Sequence, residues 1–336
     1  MIDGNEVRDL TSVRPGLVRV YQAFYAARYA NEPLDTLLSK LANARGIATL
    51  SYEKLLEATP GGGRPFLHPP LDHEDTHRVL VTGTGLTHTG SMQSRDQMHA
   101  KKVVSPKTNS SEPQSDSAKM FQMGLEGGRP PAGTRGTSPE WFYKGNGTNL
   151  HGYRAPLEMP AFALDGGEEP ELVGCYIIDE TGTPRRLGFT LANEWSDHAT
   201  EKINYLYLAP SKLRNCSMGP ELVTDCDFQD VTLRCTVRRG SATLYDSGEL
   251  KSGEKFMCHT LANLEDHHFK YSQHRQPGDV HLHFFGTSKL SFGTRDWKYE
   301  PGDEIQIDAP GFSASLRNTV SAGDPATSKP TRVERA

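Results

Sequence analysis

Apolar residues recur at helical spacing in the first part of the chain. Residues 18–29 and 34–41 carry Ala-rich apolar faces, and residues 52–58 are long enough for a third, short helix. The glycines and prolines of residues 60–70 then stop any helix. The pattern predicts a small, mostly helical N-terminal domain with its linker over residues 1–70.

After residue 70 the pattern changes to short apolar runs separated by Gly, Pro, Asn and Asp, which is typical of strands and turns. Strands are predicted at residues 78–81, 172–178, 186–191, 231–237 and 280–285. One helix fits between Thr260 and Gln273. We therefore predict an α+β, β-dominated body over residues 71–320, followed by a polar, flexible tail over residues 321–336.

A polar segment rich in Ser, Lys and Pro interrupts this body at residues 101–118. It has no apolar periodicity, which predicts a loop rather than a helix or a strand. Long loops in compact domains often act as lids over a binding site. We expect a mobile lid in this segment.

Composition narrows the classes of protein to which the chain can belong. With 35% hydrophobic residues among 336, it can bury a sizeable core. The net charge of −5 argues against a nucleic-acid partner, and no apolar run approaches the ~20 residues that span a bilayer. The five cysteines are scattered, and the N-terminus does not resemble a secretory signal. We expect a cytoplasmic protein with free thiols.

Three acidic residues are the first candidates for chemistry. Glu169 and Glu171 flank a proline, so on a strand both side chains point to the same face. Glu194 follows in a later run. Carboxylates this close repel each other, and a divalent cation held by oxygen ligands neutralises them. The pair could instead lie on a solvated sheet face, but the apolar strand that follows it at residues 172–178 favours a metal site.

Two lysines and two acid–base candidates accompany the carboxylates. Lys144 ends an aromatic strand, which favours burial, and buried lysines serve as bases or charge stabilisers. Lys212 lies in a charged loop, for which a solvated surface is the ordinary expectation. His88 lies in a Gly/Thr-rich turn after a strand, and Asp96 follows on a short predicted helix. A lone histidine in such a turn is more often structural than catalytic.

A strand near the C-terminus adds two further candidates. Gly286 and Thr287 follow it and can offer backbone N–H groups and a hydroxyl to a carboxylate, or form an ordinary turn. His281 and His283 share one face of the same strand and could bind zinc. They have no partner at convincing spacing, so we rank zinc below the carboxylate site.

Taken in order, these segments resemble the fumarylacetoacetate hydrolase (FAH) superfamily over about residues 78–318. The segments that carry the resemblance are Glu169 with Glu171, residues 193–197, Lys144, Lys212 with Gly219-Pro220, and Pro277-Gly278-Asp279 with Gly286-Thr287. The resemblance implies an FAH-like mixed β-sandwich or β-roll catalytic domain with a small N-terminal cap. Two positions depart from the family pattern. Glu194 stands where the usual metal ligand is an aspartate, and His88 does not align with the family's Asn-Tyr-x-x-His.

The chain is most similar to the sugar-acid branch of that superfamily. This implies a lyase, an Mg²⁺-dependent dehydratase that converts 2-keto-3-deoxypentonate to 2,5-dioxopentanoate in non-phosphorylative pentose catabolism. Mn²⁺ or Ca²⁺ are alternatives to Mg²⁺. The alternative activity is C–C bond hydrolysis of a 2,4-diketo acid, as in acylpyruvases, and a non-enzymatic sugar-acid sensor or structural β domain is a third interpretation. The family also implies a homodimer. The small molecule that it implies as the binding partner is the 2-keto acid substrate.

The same resemblance implies roles for individual residues. The implied metal ligands are Glu169, Glu171 and Glu194. Lys144 or Lys212 would remove the C3 proton or stabilise the enolate, and an acid near His88 or Asp96 would protonate the departing C4 hydroxyl. The implied substrate-binding residues are Gly286, Thr287, Ser91 and Asn193.

Overall fold

The computed structural model describes residues 1–99 and 115–336. The strands of this part of the chain are β1 (Ile2–Asp3), β2 (Glu6–Asp9), β3 (Ala48–Ser51), β4 (Val79–Gly85), β5 (Glu140–Asn146), β6 (Leu150–His151), β7 (Leu157–Met159), β8 (Pro170–Ile178), β9 (Pro184–Asn193), β10 (Cys216–Met218), β11 (Thr232–Arg239), β12 (Ala242–Asp246), β13 (Leu250–Lys251), β14 (Val280–Phe284), β15 (Glu304–Asp308) and β16 (Leu316–Ala322). The α-helices are α1 (Val20–Tyr29), α2 (Leu34–Ala42), α3 (Tyr52–Glu57), α4 (Thr89–His99), α5 (Asp116–Gly127), α6 (His198–Ile203), α7 (Leu208–Lys212) and α8 (Leu261–Phe269).

The N-terminal segment contains the three predicted helices, α1, α2 and α3, together with a small antiparallel sheet in the order β1-β2-β3. Helix α1 lies against the body of the protein. Phe24 packs in the same apolar cluster as Val79 and Val173, and the Tyr25 hydroxyl donates a hydrogen bond to the Ile178 carbonyl at 2.9 Å. The domain boundary at residue 70 stays a prediction.

The largest sheet is mixed, with strand order β5-β4-β14-β8-β9-β10-β6. Strand β14 runs parallel to β4 and antiparallel to β8, which in turn pairs antiparallel with β9. Every residue of β8 is buried, because the two faces of the strand pack into different cores. Leu172 and Tyr176 enter one apolar cluster, while Val173 and Cys175 enter the other. Burial on both faces explains the continuous apolar run of this strand.

A second sheet has the order β12-β11-β15-β16-β7, with β13 paired to β11. Its strand β11 buries Leu233, Cys235 and Val237 at period two, in the same core as Leu172 of β8. Two sheets therefore share one core, which confirms the predicted α+β class. Strand β16 ends at Ala322, two residues into the predicted tail.

The predicted lid falls mostly on residues 101–114, which lie outside the described residues. Its last four residues were predicted wrongly as loop. Ser115 caps α5 by accepting a hydrogen bond from the Ala118 amide at 3.0 Å, and residues 116–118 form the first turn of that helix. In the described part of the chain, we find no helix with the length and apolarity needed to cross a membrane.

Candidate active site

The three predicted carboxylates meet where strands β8 and β9 pair at one end. Pro170 is opposite Asn193 in this antiparallel ladder, so Glu169 and Glu171 flank the point where Glu194 leaves β9. The Glu194 amide also donates to the Glu169 carbonyl at 3.0 Å. The three residues are buried, and one carboxylate oxygen of each lies within 4.8 Å of the others. The register of two strands thus assembles the cluster.

The electrostatics of this cluster are those of negative charge confined in a buried space. Burial raises the pKa of Glu171 well above its ordinary value, and the charges of Glu194 and Glu169 raise it further. Burial also raises the pKa of Glu194, to about 7, against the lowering effect of Lys212. Burial acts in the same direction on Glu169, but Lys212 and His198 outweigh it and lower its pKa.

The cluster fits a hard divalent cation. No described residue donates a hydrogen bond to Oε1 of Glu171 or to Oε1 of Glu194, although both atoms are buried. A cation between the carboxylates would satisfy these atoms and allow all three groups to ionise together. Among the described residues, this is the one group of at least three His, Cys, Asp or Glu side chains close enough to hold a metal ion.

Zinc therefore gains no support at the histidine pair on β14. His281 Nδ1 lies 2.9 Å from His268 Nε2, and His283 Nδ1 lies 2.7 Å from the Thr82 hydroxyl. These nitrogens are engaged within a buried cluster of rings. Nε2 of both histidines has no partner among the described residues, but no described group of three ligands forms around them, so the carboxylate site stays preferred to zinc.

The two lysines differ in their access to the cavity beside the cluster. Lys212, at the end of α7, is 2% exposed and lines the cavity. Its Nζ donates hydrogen bonds to Glu169 and, at 3.1 Å, to Glu194. The solvated side chain that is ordinary for a charged loop is not found, because α7 carries this ammonium inward. Burial alone would lower the pKa of Lys212, but the carboxylates of Glu169 and Glu194 raise it.

Lys144 is completely buried, as the aromatic strand predicted, but it does not reach the cavity lining. Its Nζ donates a hydrogen bond to the Trp195 carbonyl. Burial lowers the pKa of Lys144 to about 8, partly opposed by the charge of Glu194. Lys144 therefore acts on the cluster through its charge and is not part of the cavity lining.

Helix α6 brings two residues that sequence reasoning missed. Asp197 starts this helix, because its Oδ1 accepts a hydrogen bond from the Thr200 amide at 3.0 Å. The next residue, His198, places Nε2 3.0 Å from Glu169 Oε1, and Glu201 lines the cavity one turn later. The capping pattern of Asp197 is a sequence signal that could have located both side chains.

Arg95 of α4 also lines the cavity and was missed. Its Nη1 donates to Glu140 Oε1 at 2.8 Å, and its Nε lies 2.8 Å from Glu201 Oε1. Burial would lower the pKa of Arg95, but these two carboxylates raise it. A lone arginine on a weakly amphipathic helix gives no sequence signal for such a position.

The structure does not bring His88 and Asp96 into the lining of this cavity. His88 is buried, with Nδ1 2.9 Å from the Thr87 hydroxyl, and burial lowers its pKa to about 4. Asp96 accepts a hydrogen bond from the Ser115 hydroxyl, at the start of α5. Because Asp96 follows Arg95 on α4, it points to another side of the helix. This placement gives no support to acid–base roles for either residue.

The four predicted substrate-binding residues are divided. Ser91, Gly286 and Thr287 line the cavity, whereas Asn193 is buried beside it and accepts a hydrogen bond from the Glu169 amide at 3.1 Å. The Gly286 amide donates to Glu171 Oε2 at 2.7 Å. The backbone N–H expected to bind a substrate carboxylate therefore binds a carboxylate of the protein instead.

The cavity itself is small. It has a volume of about 30 Å³, which is room for about two water molecules. Phe142 is part of the cavity lining, and its ring centroid lies 4.8 Å from Lys212 Nζ. A keto acid would have to widen this space, so ligand binding requires movement of the surrounding side chains.

Comparison with known proteins places this site in a known fold. No protein-family model matches the chain, and no curated protein matches it in sequence. The apo form of 2-keto-3-deoxy-D-arabinonate dehydratase superposes with a TM-score of 0.64 and 17% identity, over 91% of this chain and 90% of that chain. The chain has the fold of this dehydratase. The dehydratase complexed with magnesium and 2,5-dioxopentanoate gives a TM-score of 0.61 and 17% identity, over 90% and 89% of the two chains.

A second activity occurs among the similar structures. The 2-hydroxyhepta-2,4-diene-1,7-dioate isomerase from Mycobacterium marinum has a TM-score of 0.50 and 18% identity, over 83% of this chain and 82% of that chain. These similarities confirm the predicted FAH-like fold. At such identities they concern the fold alone, so the reaction has to be argued from the side chains of the site.

Proposed function

We propose that the protein is an Mg²⁺-dependent dehydratase of a 2-keto-3-deoxy sugar acid, forming 2,5-dioxopentanoate from 2-keto-3-deoxypentonate. The observation that carries this proposal is the buried cluster of Glu169, Glu171 and Glu194 with Lys212 at the cavity. The fold supports it, because a dehydratase of this fold has been solved with magnesium and 2,5-dioxopentanoate. The pentose pathway, the homodimer and the cytoplasmic location stay predictions.

The cluster would hold Mg²⁺ through Glu169, Glu171 and Glu194, and the bound ion would act as a Lewis acid on the substrate's keto oxygen. Lys212 is our choice for the group that removes the C3 proton, because a general base must first be within reach of the substrate. Glu169 and Glu194 keep its Nζ protonated in the structure. To act as the base it would first have to lose its own proton, and a cation held by Glu169 and Glu194 would weaken the contacts that keep it protonated. The proton taken from C3 would then pass to the departing C4 hydroxyl, which leaves as water.

Burial gives Lys144 the lower pKa, but this residue is not part of the cavity lining. We propose that its charge offsets the carboxylates and that the Trp195 carbonyl fixes its position. His198 would orient Glu169 through its 3.0 Å contact. Leu86 and Leu290 of the cavity lining would help to exclude water from the enolate.

The alternative, hydrolysis of a 2,4-diketo acid, requires an activated water beside His88. His88 is not part of the cavity lining, and its pKa is lowered by burial. No observation in the structure favours this reaction over dehydration, so dehydration is the function we propose.

The decisive experiment supplies 2-keto-3-deoxypentonate, and separately a 2,4-diketo acid, to the purified protein with Mg²⁺ or with chelator. We expect 2,5-dioxopentanoate only from the first substrate and only with Mg²⁺. Glu171→Gln should lower the rate by at least about 100-fold, because ligand loss removes several kcal/mol of charge stabilisation. Glu265→Gln is the matched control, since Glu265 pairs with Arg186 away from the cavity. Full activity in chelator, or pyruvate as the product, would refute the proposal.

A further inference from the structure

A second charged group lines the same cavity and has no part in the proposed metal site. Arg95 of α4 and Glu201 of α6 are both buried, and both face the cavity. Glu140 of β5 completes the group by accepting the hydrogen bond from Arg95 at 2.8 Å, and Tyr205 donates to the same Glu140 oxygen at 2.9 Å. Three elements of the fold therefore hold these charges in place.

This group has unused capacity to accept hydrogen bonds. Glu201 Oε1 lies 2.8 Å from Arg95 Nε, yet no described residue donates a hydrogen bond to it. Oε2 of Glu140 also lacks a donor among the described residues, but Glu140 is not part of the cavity lining, so Glu201 is the acceptor that a ligand can reach. Buried carboxylate oxygens without donors are costly, so an incoming ligand that supplies a donor is favoured.

The charge of the group selects the kind of donor. Two carboxylates face one guanidinium, so the group as a whole is negative and repels an anion. A substrate carboxylate is thus directed away from Glu201, towards Lys212. A hydroxyl is neutral, small and able to donate, which makes it the ligand group that fits.

Helix α6 fixes the distance between this group and the carboxylate cluster. His198 contacts Glu169, and Glu201 lies three residues later on the same face. Side chains at this spacing have Cβ atoms about 5–6 Å apart. Lys212 and Glu201 both line the same cavity. A short carbon chain spans such a distance.

We propose that Glu201, supported by Arg95 and Glu140, binds the hydroxyl at the end of the substrate remote from its keto acid group. The inference rests on the proposed function, because the carboxylate cluster is taken to hold the keto acid end. It makes Glu201 a specificity-determining residue for hydroxylated over plain 2-keto acids.

Binding of two keto acids that differ by one hydroxyl tests this inference. 5-Hydroxy-2-oxopentanoate and 2-oxopentanoate have no C4 hydroxyl to lose, so both can be titrated calorimetrically in Mg²⁺ without dehydration. The wild-type protein should bind the hydroxylated acid about 10- to 100-fold more tightly, as expected for a hydrogen bond to a charged group. Glu201→Leu should lose this preference, and Glu201→Gln, which keeps a carbonyl acceptor, should retain part of it.

Two controls separate the possible failures. Glu265→Leu also removes an ion-paired glutamate, but outside the cavity, and should keep the full preference. If Glu201→Leu does not fold, the partial loss in Glu201→Gln still decides the question. Equal wild-type affinities, or a preference unchanged in both Glu201 variants, would overturn the inference. Loss of the preference in these variants without any turnover of 2-keto-3-deoxypentonate would support the inference and overturn the proposed dehydration.

Discussion

Replacing Glu194 by glutamine should stabilise the metal-free protein at pH 8 and weaken its binding of Mg²⁺. Glutamine has nearly the shape of the carboxyl group but cannot ionise. The carboxylate cluster of the folded protein penalises ionisation of Glu194, because burial raises its pKa to about 7. The variant removes this penalty together with one metal ligand, so stability and metal affinity should change in opposite directions.

The size of the effect follows from linkage. A carboxyl with an ordinary pKa of 4.5 that titrates at about 7 in the folded state costs about 3 kcal/mol of stability at pH 8. Below pH 4.5 the group is protonated in both states, and the cost disappears. The cost grows between pH 4.5 and pH 7 and is constant above. The raised pKa of Glu194 is the net result of burial and of the attraction of Lys212, which contacts it. The stability cost worked out from this pKa therefore already includes that attraction.

The assay is urea unfolding at pH 8 and at pH 4.5, in chelator and in saturating Mg²⁺. In chelator, Glu194→Gln should be more stable than the wild type by about 3 kcal/mol at pH 8 and about equal to it at pH 4.5. At 100 times the dissociation constant, Mg²⁺ should add about 2.7 kcal/mol to the wild type at pH 8. The variant should gain much less at the same concentration.

Glu168→Gln is the matched control, because Glu168 is also a buried glutamate but has its hydrogen bonds satisfied. It accepts from the Ser291 amide at 2.6 Å, the Ser291 hydroxyl at 2.8 Å and the Tyr299 hydroxyl at 2.7 Å. An amide NH₂ facing these donors should cost about 2 kcal/mol, with or without Mg²⁺. If Glu194→Gln destabilises the metal-free protein at pH 8 as Glu168→Gln does, the reasoning about the cluster is wrong.

Two further predictions concern other parts of the structure. Burial lowers the pKa of both His281 and His283 to about 3. As the pH falls, these residues become protonated in the unfolded chain before the folded one, so each should lower the free energy of unfolding by about 1.4 kcal/mol at pH 5.5 relative to pH 8. In urea unfolding, His283→Gln should lose less stability between these two pH values by that amount, and an unchanged loss would contradict this. A Cβ at position 167 would lie 2.1 Å from His198 Nδ1. Gly167→Ala should therefore displace the His198 ring from Glu169 and lower kcat/KM about tenfold. Gly16→Ala is the control, because a Cβ at position 16 meets open space, and this variant should have wild-type kinetics.

Sequence reasoning located the parts of the fold and site that depend on local pattern. The apolar run of β8 and the i, i+2 spacing of Glu169 and Glu171 are properties of a single strand. The proximity of Glu194 required a strand register, and the family resemblance supplied it. The sequence could not give the direction of a side chain on a short helix. From the charged loop alone, a solvated Lys212 is as compatible with the sequence as the role implied by the family resemblance, and the structure shows that α7 carries it into the cavity.

The acid–base candidates illustrate the same limit more sharply. His88 and Asp96 were chosen for their residue types, and both lie within a few residues of cavity-lining positions. The rotation of α4 decides which of its residues face the cavity, and it selects Arg95. Arg95 is retained there by Glu140 and Glu201, which come from distant parts of the chain. Such long-range pairing leaves no periodic signal in the sequence.

The two charged groups of the cavity also explain how the substrate would be oriented. The carboxylate cluster, with a cation bound, and Lys212 would attract an anionic keto acid group, whereas the pair of carboxylates at Arg95 would repel it. If both groups attracted anions, the acid could bind in either direction and C3 would not be fixed beside Lys212. Opposite preferences at the two ends leave one orientation, and α6 sets the separation between them. Specificity for a hydroxylated chain and placement of C3 would then have a common structural origin.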